Sequence, residues 1–289
     1  MEKMPIMVKR NELSIGIYEK AMPDNLSWEE KLNLVQETGF DFLELSIDES
    51  DFRLSRLESI EEQNCILKAI SSTGVPIRSI CLSAHRKYPL GSHEKEIQER
   101  SLGIMEKALH LATKIGVQRI QLAGYDVYYE ESDDYTQLTF ENNLKKCVDM
   151  ASMQGVVLGF ETMETSFMNT VEKAMKYVDK VDNPYLQVYP DLGNLYNGNI
   201  NKTELLRDIE RGVGHYIAVH LKDTVPNVFR DLQFTEGNVD FKEGIEIFYQ
   251  HGVRIFNCEI WDNKSGDYKE CMLNTMKIIE SCIIETDLK

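Results

Sequence analysis

The sequence predicts an α/β protein, a (β/α)8 TIM barrel that forms a single domain over residues 1–289. Short apolar runs alternate with amphipathic helical segments eight times, with no linker and no low-complexity stretch between them. Several of the apolar runs are continuous, as expected for parallel strands that are buried on both faces. No glycine-rich nucleotide motif follows the first run, so eight units favour a closed barrel over a doubly wound sheet.

The first half of the chain contains four predicted strand–helix units. Ser27 and Glu30 have the spacing of a capping box, which starts the first helix, and Gly39 ends it. The four strands are SIGIY (14–18), FLELS (42–46), VPIRSICLS (75–83) and VQRIQLA (117–123). Each later helix is followed by a glycine that can end it in a left-handed conformation, and these helices are predicted near residues 58–73, 94–115 and 138–154.

The second half contains four further units, and each of its strands ends at a residue that can bind a metal ion or move a proton. The strand runs are VVLGF before Glu161, LQVYP before Asp191, YIAV before His220 and RIFNC before Glu259. The helices that follow these strands or lie before the next one are predicted near residues 169–181, 202–211, 240–251 and 267–284.

These four residues form a candidate metal site. Neighbours in the set are 30, 29 and 39 residues apart, about one strand–helix–strand unit, and the carboxyl ends of barrel strands form the active-site face. Taken alone, each carboxylate is more often a loop charge or helix cap, and a lone histidine is more often a core residue. Four such residues, each at the end of a different strand, favour one shared metal site. Three carboxylates and one imidazole suit Mn²⁺, Mg²⁺, Co²⁺ or Zn²⁺, and the lack of thiolates argues against a structural zinc site.

Composition limits the classes of partner. The formal net charge of -16 weighs against nucleic acid and anionic membranes, because both are bound through clustered basic residues. The sequence has no apolar stretch of about 18 residues, so we expect no transmembrane helix. The charged N-terminal segment does not resemble a signal peptide, and the six cysteines form no Cys-x-x-Cys pair. We therefore expect a cytoplasmic protein with reduced cysteines.

Several short motifs resemble those of a known family. The Gly39–Leu45 segment GFDFLEL, together with the four strand-end residues, is similar to the xylose-isomerase-like barrel superfamily. A narrower resemblance, spread over nearly the full chain, is to the L-ribulose-5-phosphate 3-epimerases, also called L-xylulose-5-phosphate 3-epimerases, of ascorbate and pentose catabolism. It rests on the segments GIYEKA (16–21), LSAHRKYPLGS (82–92), YPDLGN (189–194), VHLKD (219–223) and EIW (259–261).

The resemblance implies C3 epimerisation of a ketopentose phosphate through a cis-enediolate. The proton at C3 is weakly acidic because it lies next to a carbonyl, and a cation holding the substrate oxygens can stabilise the enediolate. Two carboxylates can then invert the centre if one removes a proton and the other returns one. By resemblance these are Glu161 and Glu259, which also bind the metal, while Asp191 and His220 serve as ligands only.

The resemblance also suggests substrate contacts. Arg230 lies in the long loop after the seventh strand, where related ketose epimerases place an arginine on the substrate oxygens. Glu164 is a candidate for binding a sugar hydroxyl or orienting the site, and a helix-entry charge is the equal alternative. Asn194 stands where epimerases of free ketoses tend to carry histidine, which argues against a free hexulose substrate.

The phosphate contacts are predicted from position and charge. His85 and Arg86 follow the third strand on the catalytic face, and arginine suits bidentate phosphate binding. Lys20 and Lys222 are further candidates, although single basic residues are more often surface charges. The remaining pocket is expected to include Tyr18, Glu44 and Trp261. Relatives are commonly dimers or larger, which suggests a homo-oligomer.

Three other functions fit parts of the pattern. An aldose–ketose isomerase would use the same barrel and metal but move the carbonyl between C1 and C2. An endonuclease-IV-like phosphodiesterase would use a histidine-rich cluster of metals, which six histidines in an acidic chain do not favour. A non-catalytic sugar-phosphate sensor would be favoured if one proton-transfer carboxylate were missing, and here both are present.

Overall fold

Eight parallel strands form one sheet in the order β6-β5-β4-β3-β2-β1-β8-β7. The computed structural model describes residues 8–199 and 201–283. The strands are Ser14–Tyr18 (β1), Phe42–Ile47 (β2), Ile77–Leu82 (β3), Arg119–Ala123 (β4), Val157–Glu161 (β5), Leu186–Val188 (β6), Val219–Leu221 (β7) and Ile255–Cys258 (β8).

The sheet closes on itself between its two end strands. Two isolated parallel bridges, Val188 to Tyr216 and Asp191 to His220, join the β6 segment to the β7 segment. The His220 backbone N–H also donates to the carbonyl oxygen of Pro190 at 2.8 Å. The predicted (β/α)8 barrel is therefore confirmed. Its closure also places Asp191 directly beside His220.

Ten α-helices accompany the strands in the described residues. They are Trp28–Glu37 (α1), Asp51–Leu54 (α2), Ile60–Thr73 (α3), Lys95–Ile115 (α4), Asp134–Gln154 (α5), Val171–Val181 (α6), Leu192–Gly198 (α7), Lys202–Glu210 (α8), Phe241–Gln250 (α9) and Tyr268–Cys282 (α10). The eight long helices match the sequence prediction to within a few residues. The predicted end of the last helix, residue 284, lies outside the described residues.

The differences from the predicted helices have local causes. Helix α5 begins four residues earlier than predicted, because the Asp133 side chain accepts from the Thr136 N–H and forms a capping box there. The short helices α2 and α7 were not predicted, since four and seven residues are too few to show an amphipathic period. Helix α7 matters for function, because its first turn follows Asp191.

Helix ends and the core follow the predicted pattern. Gly116 and Gly155 end α4 and α5 with φ of 78° and 68°, a region that disfavours side chains with a Cβ. The strands bury almost every residue, as the burial of all six residues of β2 illustrates. None of the helices in the described ranges combines the length and apolar character needed to cross a bilayer.

Candidate metal centre and substrate cavity

Four side chains meet at the carboxyl ends of strands β5 to β8. Glu161 is the last residue of β5, and His220 lies within β7. Asp191 follows β6, and Glu259 follows β8. One potential ligand atom of each side chain lies within 4.8 Å of the others, and all four residues are buried. The convergence expected from strand positions is thus present in the structure.

The two carboxylate oxygens of Asp191 have different surroundings. Its Oδ1 atom accepts the Asn194 backbone N–H at 2.6 Å and caps helix α7. Its backbone N–H donates to the Thr162 hydroxyl at 3.1 Å, which fixes the start of the turn. The Oδ2 atom is buried, and none of the described residues donates a hydrogen bond to it. A buried carboxylate oxygen without a donor is costly unless a cation reaches it.

The His220 ring is held at both nitrogens. Nδ1 lies 3.1 Å from Oε2 of Glu259 and 3.9 Å from Oε1 of Glu161, whereas Nε2 lies 2.5 Å from Oε1 of Glu44. Nδ1 therefore faces the cluster of carboxylates. Burial alone would lower the pKa of this imidazole, but Glu44 and Glu259 raise it well above its ordinary value.

Three carboxylates crowd around two basic side chains in this cluster. Burial and the neighbouring Glu259 raise the pKa of Glu161 to about 8, and burial raises that of Asp191 to about 7. Burial would also raise the pKa of Glu259, but Lys222 and His220 lower it below its usual range. The Lys222 Nζ atom lies 3.5 Å from Asp191 Oδ2 and 3.4 Å from Glu259 Oε2.

These observations fit a divalent cation. The donor set consists of three carboxylates and one imidazole, which are ligands for Mn²⁺, Co²⁺, Zn²⁺ or Mg²⁺. The Oδ2 atom of Asp191 has no other hydrogen-bonding role within the described residues. A buried group of this composition could therefore hold a metal ion.

A cavity opens above this cluster and brings several predicted substrate contacts together. Glu161 and Glu259 form its floor together with Lys222. The predicted residues Arg86, Arg230 and Glu164 also line it, as do Tyr18 and Trp261. The other lining residues are Lys20, Cys81, Ser83, Met163 and Phe229.

Two opposite charges face each other across the mouth of the cavity. The Arg230 guanidinium lies 3.6 Å from Glu164, and the Tyr125 hydroxyl donates to the same carboxylate at 2.7 Å. Arg86 lies with its guanidinium 5.0 Å from the centre of the Tyr128 ring. Its Nε atom is buried and has no hydrogen-bond partner among the described residues. Both arginines therefore keep donors that a polyanionic substrate can use.

The loop that carries Arg230 is tied down by one buried acid. Asp223 accepts backbone N–H groups from Thr224, Thr235, Gly237 and Val239 at 2.8 to 3.2 Å. These bonds hold both ends of the loop close to β7.

Two predicted contacts lie elsewhere. His85 is buried, and its Nε2 atom lies 3.2 Å from the Ser101 carbonyl oxygen on α4, so it does not line the cavity. The Asn194 side chain donates to the Thr162 carbonyl oxygen at 2.7 Å and lies behind Asp191. Neither side chain is placed to contact a substrate directly. Each one is directed away from the cavity, His85 towards α4 and Asn194 towards Thr162.

Sequence reasoning also missed or misplaced three residues. Glu44 was expected to line the pocket, but it is completely buried beneath His220 and does not reach the cavity. Tyr125 and Tyr128 hold Glu164 through their hydroxyls. The tyrosine-rich loop after the fourth strand was the signal for these two, because tyrosines there stand on the catalytic face.

Comparison with known proteins gives relatives over most of the chain. Residues 32–279 match the family model of the xylose isomerase-like TIM barrel. Over 242 residues the chain is 45% identical to L-ribulose-5-phosphate 3-epimerase UlaE of Salmonella heidelberg, which covers 83% of this chain and 84% of the relative. The protein of the same name from Escherichia coli is 43% identical over 258 residues, or 89% of this chain and 90% of the relative.

Solved structures share the architecture. 3-Keto-D-glucoside 4-epimerase YcjR from E. coli has a TM-score of 0.76 at 19% identity, over 93% of this chain and all of that one. The IOLI protein with a binding zinc atom has a TM-score of 0.77 at 13% identity, over 94% of this chain and 98% of that one. At these identities the likeness shows the fold alone.

Proposed function

Because the chain belongs to the xylose isomerase-like TIM-barrel family and, within it, to the L-ribulose-5-phosphate 3-epimerases, we propose that this enzyme interconverts L-ribulose 5-phosphate and L-xylulose 5-phosphate. The observation that supports this most directly is the pair of carboxylates, Glu161 and Glu259, at the floor of one cavity beside a candidate metal centre. Inversion at a carbon next to a carbonyl needs two such groups.

The two glutamates divide the proton transfer. One carboxylate removes the C3 proton of the ketose phosphate, and the other delivers a proton to the opposite face of the resulting enediolate. In the reverse direction their roles exchange. Lewis-acid stabilisation of the negative charge on the ketose oxygens is what a divalent cation, Mn²⁺, Mg²⁺, Co²⁺ or Zn²⁺, supplies when it is held by these residues.

Asp191 and His220 would hold the metal and do not move protons. The cap that Asp191 makes on α7 fixes its carboxylate, so that Oδ2 keeps one direction. Lys222 lies against Asp191 and Glu259, where its ammonium reduces the repulsion between these carboxylates and can donate to a substrate oxygen.

The basic residues at the cavity mouth bind the substrate's polar groups. Arg230 contacts sugar oxygens, and Glu164 holds Arg230 or accepts from a sugar hydroxyl. Arg86 binds the phosphate, since its guanidinium lines the cavity and keeps a buried Nε without a partner in the described residues. Asn194 and His85 act behind the site, where they support Asp191 and the packing on α4.

Epimerisation is tested directly in deuterated water. Enzyme, a divalent metal salt and L-xylulose 5-phosphate should give L-ribulose 5-phosphate with deuterium at C3, detected by NMR. If the product is instead an aldose 5-phosphate, the enzyme moves the carbonyl and is an aldose–ketose isomerase. If neither product nor exchange forms with any of the four metals, the proposed activity is wrong.

The phosphate contact has its own test. We expect Arg86→Gln to raise KM for L-xylulose 5-phosphate about tenfold or more, because a charge-assisted hydrogen bond contributes roughly 1.5–3 kcal/mol. The rate with unphosphorylated L-xylulose should be unchanged. Arg254→Gln is a matched control, since Arg254 bonds to carbonyl oxygens at the opposite end of the barrel. An equal effect of Arg86→Gln on both sugars would contradict the assignment.

The proposal also covers the location of the protein in the cell and its oligomeric state. All six cysteines lie in the described residues and are free, which suits a reducing cytoplasm. We expect a homo-oligomer, a dimer or larger, of single-domain subunits, because members of the family that the sequence resembles are commonly dimers or larger. Light scattering on the purified protein measures the assembly, and a monomeric mass would contradict it.

A further inference from the structure

Glu44 is a fourth acidic residue at the metal centre, and it lies behind the four candidate ligands. It sits in the middle of β2, is completely buried, and lines no part of the substrate cavity. A buried carboxylate at this depth requires several donors or a cation, because the loss of hydration is large. Its contacts therefore indicate what it does.

Four side chains converge on the Glu44 carboxylate. Oε1 lies 2.5 Å from Nε2 of His220 and accepts Nδ2 of Asn257 at 2.8 Å. Oε2 accepts the hydroxyl of Ser79 at 2.6 Å and that of Tyr189 at 3.0 Å. Each oxygen thus has two partners, and the partners come from β3, β7, β8 and the residue that follows β6. The carboxylate is locked in position from every side.

The fixed position of the Glu44 carboxylate determines which ring nitrogen of His220 faces the three carboxylates. With Glu44 accepting from Nε2, the proton of a neutral His220 ring sits on Nε2 and the lone pair sits on Nδ1. Nδ1 is the nitrogen that faces Glu259 and Glu161. Carboxylates that accept from the second ring nitrogen of a metal-binding histidine fix its tautomer and its orientation, and raise its basicity.

We propose that Glu44 is a positioning residue, which holds the His220 ring with its proton on Nε2 so that Nδ1 binds the divalent cation. The inference rests on the metal centre of the proposed function and assigns a role to a residue outside the cavity. A purely structural role would require only that Glu44 satisfy its donors. A positioning role also requires that metal affinity depend on it.

The first test measures metal binding rather than turnover. Metal-free protein is titrated with Mn²⁺, and free Mn²⁺ is followed by electron paramagnetic resonance. We expect Glu44→Gln to weaken Mn²⁺ binding about 10- to 100-fold, the usual effect of losing such a partner. Glu19→Gln is the matched control, because Glu19 is an equally buried acid on the same face that does not touch the four ligands. It should leave the Mn²⁺ affinity within about twofold of wild type.

A second test reads the tautomer in the wild-type protein, and a variant serves only to assign the signal. In wild-type protein labelled with ¹⁵N-histidine and loaded with Zn²⁺, long-range NMR should show a proton on Nε2 of His220 and metal on Nδ1. A histidine variant such as His220→Gln identifies the signal. Metal on Nε2, or an affinity of folded Glu44→Gln equal to wild type, would overturn the role of Glu44. Failure of the wild type to bind any divalent ion would instead remove the metal centre itself.

Discussion

Two fully buried acids on the same face of the barrel have opposite electrostatic surroundings. Glu19 follows β1, and the cations Lys31 and Arg56 lower its pKa to about 2 despite its burial. Glu161 ends β5, where burial and the neighbouring Glu259 raise its pKa to about 8. Equal burial thus leads to opposite results, because only the first acid has enough positive charge within the chain.

The Glu19 carboxylate is satisfied entirely by groups of the protein. Lys31 donates to Oε1 of Glu19 at 2.7 Å, and Arg56 reaches both oxygens at 2.7 and 2.8 Å. The Ser46 backbone N–H donates to the same carboxylate at 3.0 Å, and the Trp28 ring lies 4.8 Å and 4.9 Å from the two cations. Both oxygens of the Glu19 carboxylate are satisfied without a ligand, which identifies this group as a structural ion-pair network.

The cluster at β5 to β8 is incomplete by the same measure. Three carboxylates share Lys222 and His220, and an oxygen of Asp191 has no donor from the described residues. A buried group of this composition could hold a divalent cation. The two groups differ in how many hydrogen-bond donors the chain directs at their buried carboxylates. The structural network has donors for both oxygens of its acid, and the candidate metal centre does not.

The largest effect is expected from removing one proton-transfer acid. Glu161→Gln and Glu259→Gln should each lower kcat about 10²- to 10⁴-fold, the usual contribution of general acid–base catalysis. In deuterated water each variant keeps one base, so each should still exchange the C3 proton of one epimer. The two variants should exchange opposite epimers, which NMR of the recovered sugars measures at saturating metal. Exchange of the same epimer by both variants would contradict the two-carboxylate mechanism.

Metal binding should respond sharply to Asp191. Asp191→Asn keeps an acceptor that can cap α7, but loses the charge on Oδ2, which lies 3.5 Å from the Lys222 ammonium. We expect the variant to lose the rise in melting temperature that Mn²⁺ gives the wild type. Without metal the variant should remain folded, because Asn keeps the cap on α7 and Lys222 keeps Glu259 as a partner. Differential scanning calorimetry with and without Mn²⁺ measures both, and a metal-dependent rise in the variant would argue against Asp191 as a ligand.

Glu19 should show the opposite behaviour. Glu19→Gln leaves Lys31 and Arg56 buried without their partner, so the free energy of unfolding should fall by about 3–5 kcal/mol. Urea unfolding measures this loss. The exposed acid Glu58, which pairs with Lys107, gives a matched control, and Glu58→Gln should be indistinguishable from wild type. A Glu19→Gln variant as stable as wild type would show that the network is dispensable.

The pH dependence of the same difference is the smallest expected effect. The folded pKa of Glu19, about 2, is below the reference value of 4.5, so its stabilising effect is present above pH 4.5 and is lost as pH falls towards 2. The stability difference between wild type and Glu19→Gln should be constant from pH 5 to 7 and shrink by about 3 kcal/mol below that range. Unfolding curves at several pH values measure this stability difference. A difference that grows on acidification would contradict a lowered pKa of Glu19 in the folded protein.

The parts of this protein that sequence reasoning predicted are those that repeat along the chain. Apolar runs and capping glycines give eight strand–helix units, and parallel strands in a barrel share one carboxyl end. Once the units are counted, Glu161, Asp191, His220 and Glu259 must lie on the same face. Their convergence therefore follows from position alone, before any side-chain contact is known.

The placement of side chains next to these four could not be predicted in this way. His85 and Arg86 are adjacent in the sequence, yet one packs on α4 and the other lines the cavity. The difference arises because a short 3-10 turn over Ser83–Arg86 rotates neighbouring side chains in different directions. Asn194 likewise faces Thr162 because it lies in the unpredicted helix α7.

The sequence by itself determined the barrel, the face that carries the chemistry and the four acid and imidazole side chains at its centre, since these depend on local period and on the common direction of parallel strands. Tertiary structure alone decided which buried acid is neutralised and which is not. Glu44 and His220 are 176 residues apart in the chain and touch only because the barrel closes. Pairing across such distances depends on how strands are arranged around the barrel, which no local pattern contains.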